Sequence, residues 1–333
     1  MSRYLVTGAT GFLGRHLVAR LATEGHDVVA LVRTETRDLA GATQLRGDVL
    51  DRATVDAAAT GCAGVFHCAG RVSRDPRDAE ALRELHVVGT RNVLAAAKAA
   101  GVRRVVVASS SGTIAISESD TFIANEQSKT PLGLIQRFPY YRTKLHQEME
   151  ALAANGAELE VVCVNPSLLL GPGDVHGSST RDVWLFLTRA IPAVPAGGVA
   201  YVDVRDAAQG MALAMSLGAP GQRYLLNGSN VTVHELFARL SRVSGVAPPR
   251  LRLPRSRAFA TTATSLLSRA VRVIGGELAV DPESVEMGQL FWYADAGRAE
   301  RELGFRARDP LVTLADTVRD LTSKPTNTHA PQL

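Results

Sequence analysis

The hydrophobic positions in the first half of the chain fall into short apolar runs separated by longer amphipathic stretches. The apolar runs have the length and composition of buried β-strands, and they occupy residues 3–7, 27–32, 43–47, 64–68, 104–109 and 160–165. Between them, apolar spacing predicts helices over residues 12–24, 78–100 and 139–154. Near-continuous apolar strands that alternate with helices are typical of a parallel sheet covered on both faces. The sequence therefore predicts an α/β fold with a doubly wound parallel sheet over residues 1–165.

The pattern changes after Pro166. Proline and glycine at positions 171–173 and 191–198 separate shorter elements, which predicts a smaller, interleaved substrate-binding domain that makes up most of residues 166–325. Within it, the runs at 199–204 and 223–227 are predicted to return as strands to the main sheet. Residues 326–333 are polar, contain proline and are predicted to fray.

Composition and charge exclude several classes of protein. Of the 333 residues, 46% are hydrophobic and 21% are charged, and the formal net charge is +4. The arginines are scattered, so we expect no nucleic-acid partner. We expect no secretory leader, and the stretch at 258–275 contains Arg269 and Arg272 and is too polar to span a membrane. We predict an ordinary helix there, with contact to a membrane surface as the alternative.

The cysteines bear on metal binding and on the cellular compartment. Cys62, Cys68 and Cys163 lack the spacing of metal ligands, and the last two lie in apolar runs. This arrangement is typical of buried thiols in a reducing environment. We therefore expect no metal site and a cytoplasmic protein.

A glycine-rich turn with the spacing GxxGxxG follows the first predicted strand and opens the first predicted helix. Glycines at these positions permit a tight turn, let a pyrophosphate approach the backbone and let helix and strand pack closely. The phosphate then faces free N–H groups at the helix N-terminus. The pattern predicts a Rossmann-type dinucleotide site, and the alternative is a purely structural turn. The expected contacts are Gly8, Thr10, Gly11, Phe12, Leu13 and Gly14.

The residue after the second strand predicts which dinucleotide is bound. Folds of this kind that prefer NAD usually place Asp or Glu there to bind the ribose hydroxyls. This chain has Arg33, which can hold a 2′-phosphate with two parallel hydrogen bonds. We therefore predict NADP, with NAD as the second choice. The alternative is that Arg33 faces solvent and binds no ligand.

Other strand ends supply further expected cofactor contacts. Asp48 follows the third predicted strand and can accept a hydrogen bond from adenine, or it can cap the helix after Leu50. Small residues after the fourth strand leave room for the ribose, although His67 there is more typical of a packed side chain than of a catalytic one. The expected contacts in this group are Asp48, Val49, His67, Cys68, Ala69 and Pro166.

A tyrosine and a lysine at helical spacing predict proton-transfer chemistry. Tyr140 and Lys144 are four residues apart and share one face of a helix. A free tyrosine has a pKa of about 10 and exchanges protons poorly near neutrality. A neighbouring ammonium and a nicotinamide cation can lower that pKa by about three units, which needs roughly 4 kcal/mol. Tyr141 has Leu145 at the matching position and no cation, so Tyr140 is the preferred proton donor.

Three serines, from Ser109 to Ser111, end the fifth predicted strand. One of them can orient a substrate carbonyl or alcohol. Serines at strand ends are also common turn and cap residues, and that alternative stays open from spacing alone.

Glycine turn, serine-tipped strand and YxxxK motif occur here in an order and spacing that resemble the extended short-chain dehydrogenase/reductase superfamily over residues 1–325. Further matching segments are GDVLD at 47–51, GTRNVL at 89–94, VNPS at 164–167, GPGD at 171–174 and ELGF at 302–305. Within that superfamily the chain is similar to bacterial proteins related to dihydroflavonol reductase and to hopanoid-associated nucleotide-sugar epimerases.

The resemblance implies roles for individual residues. Relatives place the catalytic hydroxyl second in a Ser-Ser pair after an Arg-Arg-apolar strand, which assigns it to Ser110 with Ser111 as the reserve. Tyr140 carries over as the acid/base group, and Lys144 as the group that lowers its pKa and holds the nicotinamide ribose. His86 departs from the family pattern, because relatives usually have an Asn there that supports a proton-relay water. His86 either substitutes for that Asn or fills space.

These observations lead to three functional hypotheses. The first is an NADP(H)-dependent oxidoreductase that interconverts a ketone and a secondary alcohol, with the small substrate between the domains, against residues 112–139 and those beyond Pro166. The second is a nucleotide-sugar epimerase or dehydratase with tightly bound NAD, and the third is an NADP sensor without catalysis. The resemblance is also compatible with a homodimer formed through the helix at 139–154.

Overall fold

A computed structural model of the chain describes residues 1–39, 41–255 and 282–323. The predicted helix at 258–275 and the tail at 326–333 lie outside these residues. The described strands are β1 (Arg3–Thr7), β2 (Asp27–Val32), β3 (Ala42–Arg46), β4 (Gly64–His67), β5 (Arg104–Ala108), β6 (Glu160–Pro166), β7 (Leu168–Leu170), β8 (Ala193–Val194), β9 (Gly198–Asp203), β10 (Arg223–Leu226), β11 (Ser229–Thr232) and β12 (Leu251–Arg252).

The main sheet has seven strands in the order β10-β6-β5-β4-β1-β2-β3, and every neighbouring pair is parallel. This arrangement confirms the predicted α/β, doubly wound class. The order reverses between β1 and β4, so the strand ends that follow these two form the crevice in which ligands of such sheets bind.

Helices cover both faces of the main sheet. The described helices, some of which pack on the second sheet, are α1 (Phe12–Thr23), α2 (Arg52–Ala59), α3 (Ala79–Arg83), α4 (Gly89–Ala99), α5 (Leu132–Ile135), α6 (Pro139–Ala153), α7 (Arg181–Leu187), α8 (Val204–Leu217), α9 (Val233–Ser244), α10 (Pro282–Gly288), α11 (Gly297–Leu303) and α12 (Pro310–Ser323). Successive residues of β1 point to opposite faces, so Val6 packs with α1 and α8 while Leu5 packs with α2 and α4. This double burial explains why the strands are apolar throughout.

The predicted helix at 78–100 is interrupted by a π-helical turn. A 3₁₀ turn (Pro76–Asp78) leads into α3, the π turn spans Glu84–Val88, and α4 follows. The amphipathic pattern predicted one continuous helix because a single wider turn leaves the apolar spacing nearly unchanged.

A second sheet lies outside the main one. The prediction that residues 199–204 return to the main sheet is wrong, because β9 joins β7 and β11 in a three-stranded sheet. The Tyr201 ring in β9 is buried against Phe186 and Phe237. This strand therefore packs in a hydrophobic core separate from those of the main sheet. By contrast, β10 does join the main sheet as predicted, parallel to β6.

None of the helices within residues 1–39, 41–255 and 282–323 has both the length and the apolar character needed to cross a lipid bilayer.

Candidate active site

The glycine turn after β1 forms a cradle that side chains would fill. Gly8 has φ +66°, and a Cβ on it would lie 2.5 Å from the backbone nitrogen of Ala69. A Cβ on Gly14 would lie 2.1 Å from the carbonyl oxygen of Gly8. Gly11 is the N-cap of α1 and offers no side chain to its first N–H groups. The first backbone N–H groups of α1 have no side-chain cap, and the turn before them is rich in glycine. A pyrophosphate fits such a site.

The other expected contacts of this turn surround the cradle. Phe12 and Leu13 are buried in the core under α1, and Thr10 is half-buried at the tip of the turn. These two apolar side chains therefore anchor the helix, and only their backbone N–H groups are placed to meet a phosphate.

Arg33 and Asp48 lie at the carboxyl ends of β2 and β3, as the sequence predicted. Arg33 is exposed directly after Val32. Asp48 accepts a hydrogen bond from the backbone N–H of Leu50 at 2.9 Å, which forms a turn. The alternative that Asp48 caps the next helix is wrong, because the N-cap of α2 is Asp51, whose side chain accepts from the Ala53 N–H. The sequence did not reveal that the helix cap lies three residues beyond Asp48.

The remaining expected cofactor contacts lie at neighbouring strand ends, where Val49, Ala69 and Pro166 are buried and Cys68 is half-buried. Val49 packs against Gly89 at the start of α4, and Pro166 ends β6 in the interior. Burial raises the pKa of the Cys68 thiol to about 12, so this thiol stays protonated. Ala69 is buried where its backbone meets Gly8. These residues can meet a cofactor through backbone and apolar surface.

His67 is a packed, fully bonded side chain. Its Nδ1 lies 2.7 Å from Thr7 Oγ1, and its Nε2 lies 2.8 Å from Thr90 Oγ1. Thr90 gives its hydroxyl proton to the His86 carbonyl oxygen, so His67 Nε2 must carry the proton shared with Thr90. Burial, aided by the charge of Lys144, lowers the pKa of His67 to about 3. The imidazole is therefore neutral and structural, as its type predicted.

Tyr140 and Ser110 meet at the start of α6. The helix begins with Pro139 in its first turn, directly before Tyr140. The Ser110 side chain lies near enough to the Tyr140 phenol to influence its pKa, and it accepts from the Gly112 N–H at 3.2 Å. Burial raises the pKa of Tyr140 above its usual value, and the neighbouring Ser110 side chain opposes that rise.

Lys144 is 5% exposed and lies one turn beyond Tyr140. Its ammonium donates to the Ala108 carbonyl oxygen at 2.9 Å and to Gln147 Oε1 at 2.7 Å. Burial lowers the pKa of Lys144 to about 8, although the Glu148 carboxylate pulls it upward. The dominant influence on the Tyr140 pKa in this arrangement is burial, so the expected lowering by Lys144 stays a prediction for the cofactor-bound enzyme.

A buried hydrogen-bond chain links Lys144 to the glycine turn. Gln147 accepts from Lys144 and donates its Nε2 proton to Thr90 Oγ1 at 2.9 Å. From Thr90 the chain continues through His67 to Thr7, the last residue before Gly8. Lys144 and the glycine turn are thus held by one polar network in the core.

Glu148 is a site residue that the sequence reasoning missed. It lies one further turn along α6 from Lys144 and is 1% exposed. Its Oε2 accepts from Ser109 Oγ, Thr113 Oγ1 and Asn165 Nδ2, at 2.5, 3.0 and 2.6 Å. These partners flank Ser110, whose carbonyl oxygen also accepts from Asn165. Glu148 follows Lys144 by four residues and so continues the i, i+4 series of Tyr140 and Lys144. This spacing was the signal available in the sequence.

Tyr141, the tyrosine not preferred for proton transfer, belongs to an aromatic cluster. Its ring lies 4.7 Å from the Trp292 ring at 34° and packs edge-on against Phe138. A Cβ on Gly112 would lie 2.2 Å from the Tyr141 ring. Tyr141 therefore forms a wall next to Tyr140, which agrees with the choice of Tyr140.

Within the described part of the chain, no group of three or more His, Cys, Asp or Glu side chains is arranged to hold a metal ion.

Comparison with known proteins agrees with this geometry. Residues 4–226 match the NAD dependent epimerase/dehydratase family. The chain belongs to this family, and it is an extended short-chain dehydrogenase/reductase, an NAD(P)-dependent enzyme that acts on CH–OH groups by oxidoreduction or by the epimerase and dehydratase variants of that chemistry.

Individual relatives span nearly the whole chain. A Synechocystis sp. protein provisionally named dihydroflavonol 4-reductase is 34% identical over 324 residues, which cover 95% of this chain and 93% of that protein. The structure of gox2253 has a TM-score of 0.83 at 30% identity and covers 97% and 98% of the two chains. MoeE5 in complex with UDP-glucuronic acid and NAD has a TM-score of 0.72 at 25% identity, covering 96% and 99%.

Proposed function

We propose that this enzyme is an NADP(H)-dependent oxidoreductase that interconverts a ketone and a secondary alcohol on a small organic substrate. The observation that carries the proposal is the proximity of the Ser110 hydroxyl to the Tyr140 phenol, with the Lys144 ammonium one helical turn away. Two neighbouring hydroxyls can both turn to one carbonyl oxygen. Similarity over nearly the full length of a protein named as a reductase supports this choice.

The cofactor would be held along the crevice beside β1. The N–H groups at the start of α1 would bind the pyrophosphate, Arg33 the 2′-phosphate, Asp48 the adenine amino group and Lys144 the nicotinamide ribose. When bound, the nicotinamide supplies or accepts a hydride. The exposed guanidinium at the end of β2 supports NADP over NAD.

The side chains of the chain itself handle the proton. Ser110 and Tyr140 donate hydrogen bonds to the substrate carbonyl oxygen, where negative charge develops during reduction. Tyr140 gives up its phenolic proton as that charge appears, so no free alkoxide forms. The raised pKa of Tyr140 suits this direction, because a protonated phenol is the form that can donate.

We infer that the substrate lies between residues 1–165 and the smaller domain made mainly of residues 166–325. Arg74, in the loop after β4, reaches across to Asp182 of α7 with two hydrogen bonds, at 2.8 and 3.2 Å. Tyr141 and Trp292 stand at the same cleft, so one apolar wall is in place. A homodimer through α6 and a cytoplasmic location remain parts of this proposal.

An epimerase or dehydratase with tightly bound NAD is the second candidate. It is favoured by the family match and by likeness to MoeE5, which was solved with a UDP-sugar and NAD. The absorbance spectrum of the purified enzyme distinguishes the two, because a tightly held coenzyme would co-purify.

The experiment that tests the proposal follows NADPH absorbance during incubation with a panel of ketones. We expect an enzyme that purifies without coenzyme and oxidises NADPH with at least one ketone. Co-purified NAD(H), together with inertness toward the panel, would contradict the proposal and favour the second candidate.

A further inference from the structure

The π-helical turn at Glu84–Val88 places one imidazole between the end of β4 and the catalytic helix. Single π turns inside helices occur mostly at functional sites, because they move one side chain out of the regular helical series. The side chain at the centre of this turn is His86, which is fully buried. It is also the position at which this chain departs from the expected Asn.

Both nitrogens of His86 are bonded, each to a different part of the site. The Arg71 backbone N–H donates to Nε2 at 3.2 Å, so Nε2 is the unprotonated nitrogen. The proton is then on Nδ1, which donates to Thr143 Oγ1 at 2.9 Å. Thr143 in turn donates to the Tyr140 carbonyl oxygen at 2.9 Å. The imidazole therefore joins the loop after β4 to the first turn of α6.

The reacting groups pack directly around this ring. His86 meets Tyr140 edge-to-face, with ring centroids 5.7 Å apart and planes at 77°. A Cβ on Gly70 would lie 3.3 Å from His86 Nε2 and 3.4 Å from Lys144 Nζ. The loop backbone, the imidazole and the ammonium thus occupy one small space. A larger residue at position 70 would crowd both side chains slightly, so glycine suits this close approach.

The ring stays uncharged in this position. Burial and the adjacent Lys144 ammonium, with a smaller effect of His67, lower the pKa of His86 to about 2. The Arg71 N–H opposes this only weakly. His86 therefore cannot act as an acid or base near neutral pH, and its bonds do not change with pH in that range.

We propose that His86 is a positioning residue that fixes the Tyr140–Lys144 pair relative to the loop at the end of β4. This role differs from a space-filling side chain, because both ring nitrogens make directed bonds. It also differs from a proton relay, because neither nitrogen is left to bind a water. Its effect is on geometry, and a misplacement of about 1 Å can lower a rate about 100-fold.

The test uses substitutions that remove the two hydrogen bonds of His86 separately or together. It rests on the proposed reductase function. His86→Gln can keep an acceptor for the Arg71 N–H, His86→Asn can keep a donor to Thr143, and His86→Phe keeps a ring with neither bond. Each variant is measured for kcat, for KM of the ketone found with the wild-type enzyme, for NADPH affinity by fluorescence and for thermal unfolding. A crystal structure of His86→Phe, or of His86→Asn if His86→Phe does not fold, reports the position of the Tyr140 phenol relative to Ser110.

We expect kcat of His86→Phe to fall about 10- to 100-fold while NADPH affinity changes less than about twofold. The kcat values of His86→Asn and His86→Gln should lie between those of wild type and His86→Phe. An unchanged kcat in His86→Phe, or equal losses in all three variants that follow their melting temperatures, would overturn the proposal. If the wild type reduces no ketone, the reductase function fails, and the crystal structure then decides: a displaced Tyr140 phenol supports positioning, and an unmoved one overturns it.

Discussion

Glu148 of α6 and Arg223 of the edge strand β10 form an ion pair with a 2.9 Å separation between Oε1 and Nη1. The glutamate side chain is 2% exposed, and its other oxygen holds the residues on either side of Ser110. The last strand of the main sheet therefore secures the serine end of the site through one buried carboxylate.

Glu148→Gln should destabilise the enzyme by roughly 1–3 kcal/mol, because it weakens the hydrogen bonds that the buried carboxylate accepts and removes the ion-pair partner of the half-buried Arg223. The measurement is the free energy of unfolding in urea. Glu150→Gln is the matched control on the same helix, since its ion pair with Arg91 is exposed and should contribute less than about 1 kcal/mol. Equal effects of the two substitutions would refute the anchoring role of Glu148.

The Glu148 carboxylate illustrates which parts of the site could be predicted from the sequence and which could not. The i, i+4 spacing predicted that Tyr140 and Lys144 share one face, because that relationship depends on local helix geometry. Ser110 was singled out among the three serines after β5 by the family resemblance, and spacing alone left its role open. The partner of Glu148 is 75 residues away and depends on β10 pairing with β6. No local pattern specifies that pairing. The assignment of β9 to a second sheet was missed for the same reason.

The rate of ketone reduction should decline as pH rises through about 8. The pKa of Lys144 is lowered to about 8, so its ammonium is charged below that pH and neutral above it. The charge that would favour the developing phenolate is then lost. Tyr140 does not itself cause a loss there, because its pKa is raised. A pH profile of kcat/KM measures this effect.

Lys144→Arg gives the control for that profile. A guanidinium stays charged beyond pH 12, so the decline near pH 8 should disappear even if the overall rate is lower. A decline of the same shape in Lys144→Arg would show that another group titrates.

Gly14→Ala should impair both folding and coenzyme binding. The new Cβ would lie 2.1 Å from the Gly8 carbonyl oxygen, so α1 must move away from the turn. Overpacking of this kind costs roughly 1–3 kcal/mol, and thermal unfolding and NADPH titration measure the loss. Gly133→Ala is the control, because a Cβ there has no other atom within 4 Å. It should leave both measurements unchanged.

Arg33→Ala should weaken NADPH binding about tenfold or more and leave NADH binding nearly unchanged, because only NADPH carries the 2′-phosphate. Dissociation constants for both coenzymes measure the difference. Arg37 lies four residues on and is also exposed, so Arg37→Ala serves as a control for a general loss of positive charge. If both variants lose NADPH affinity equally, Arg33 is not the specific phosphate ligand.

The central claim is that the Tyr140 phenol, aligned by Ser110, delivers the proton in a reaction on a carbonyl. The most direct test compares kcat of Tyr140→Phe and Tyr141→Phe, with NADPH affinity measured in parallel. The account predicts a loss of about 100- to 10,000-fold in Tyr140→Phe with NADPH still bound, and a far smaller change in Tyr141→Phe. Wild-type turnover in Tyr140→Phe would contradict it.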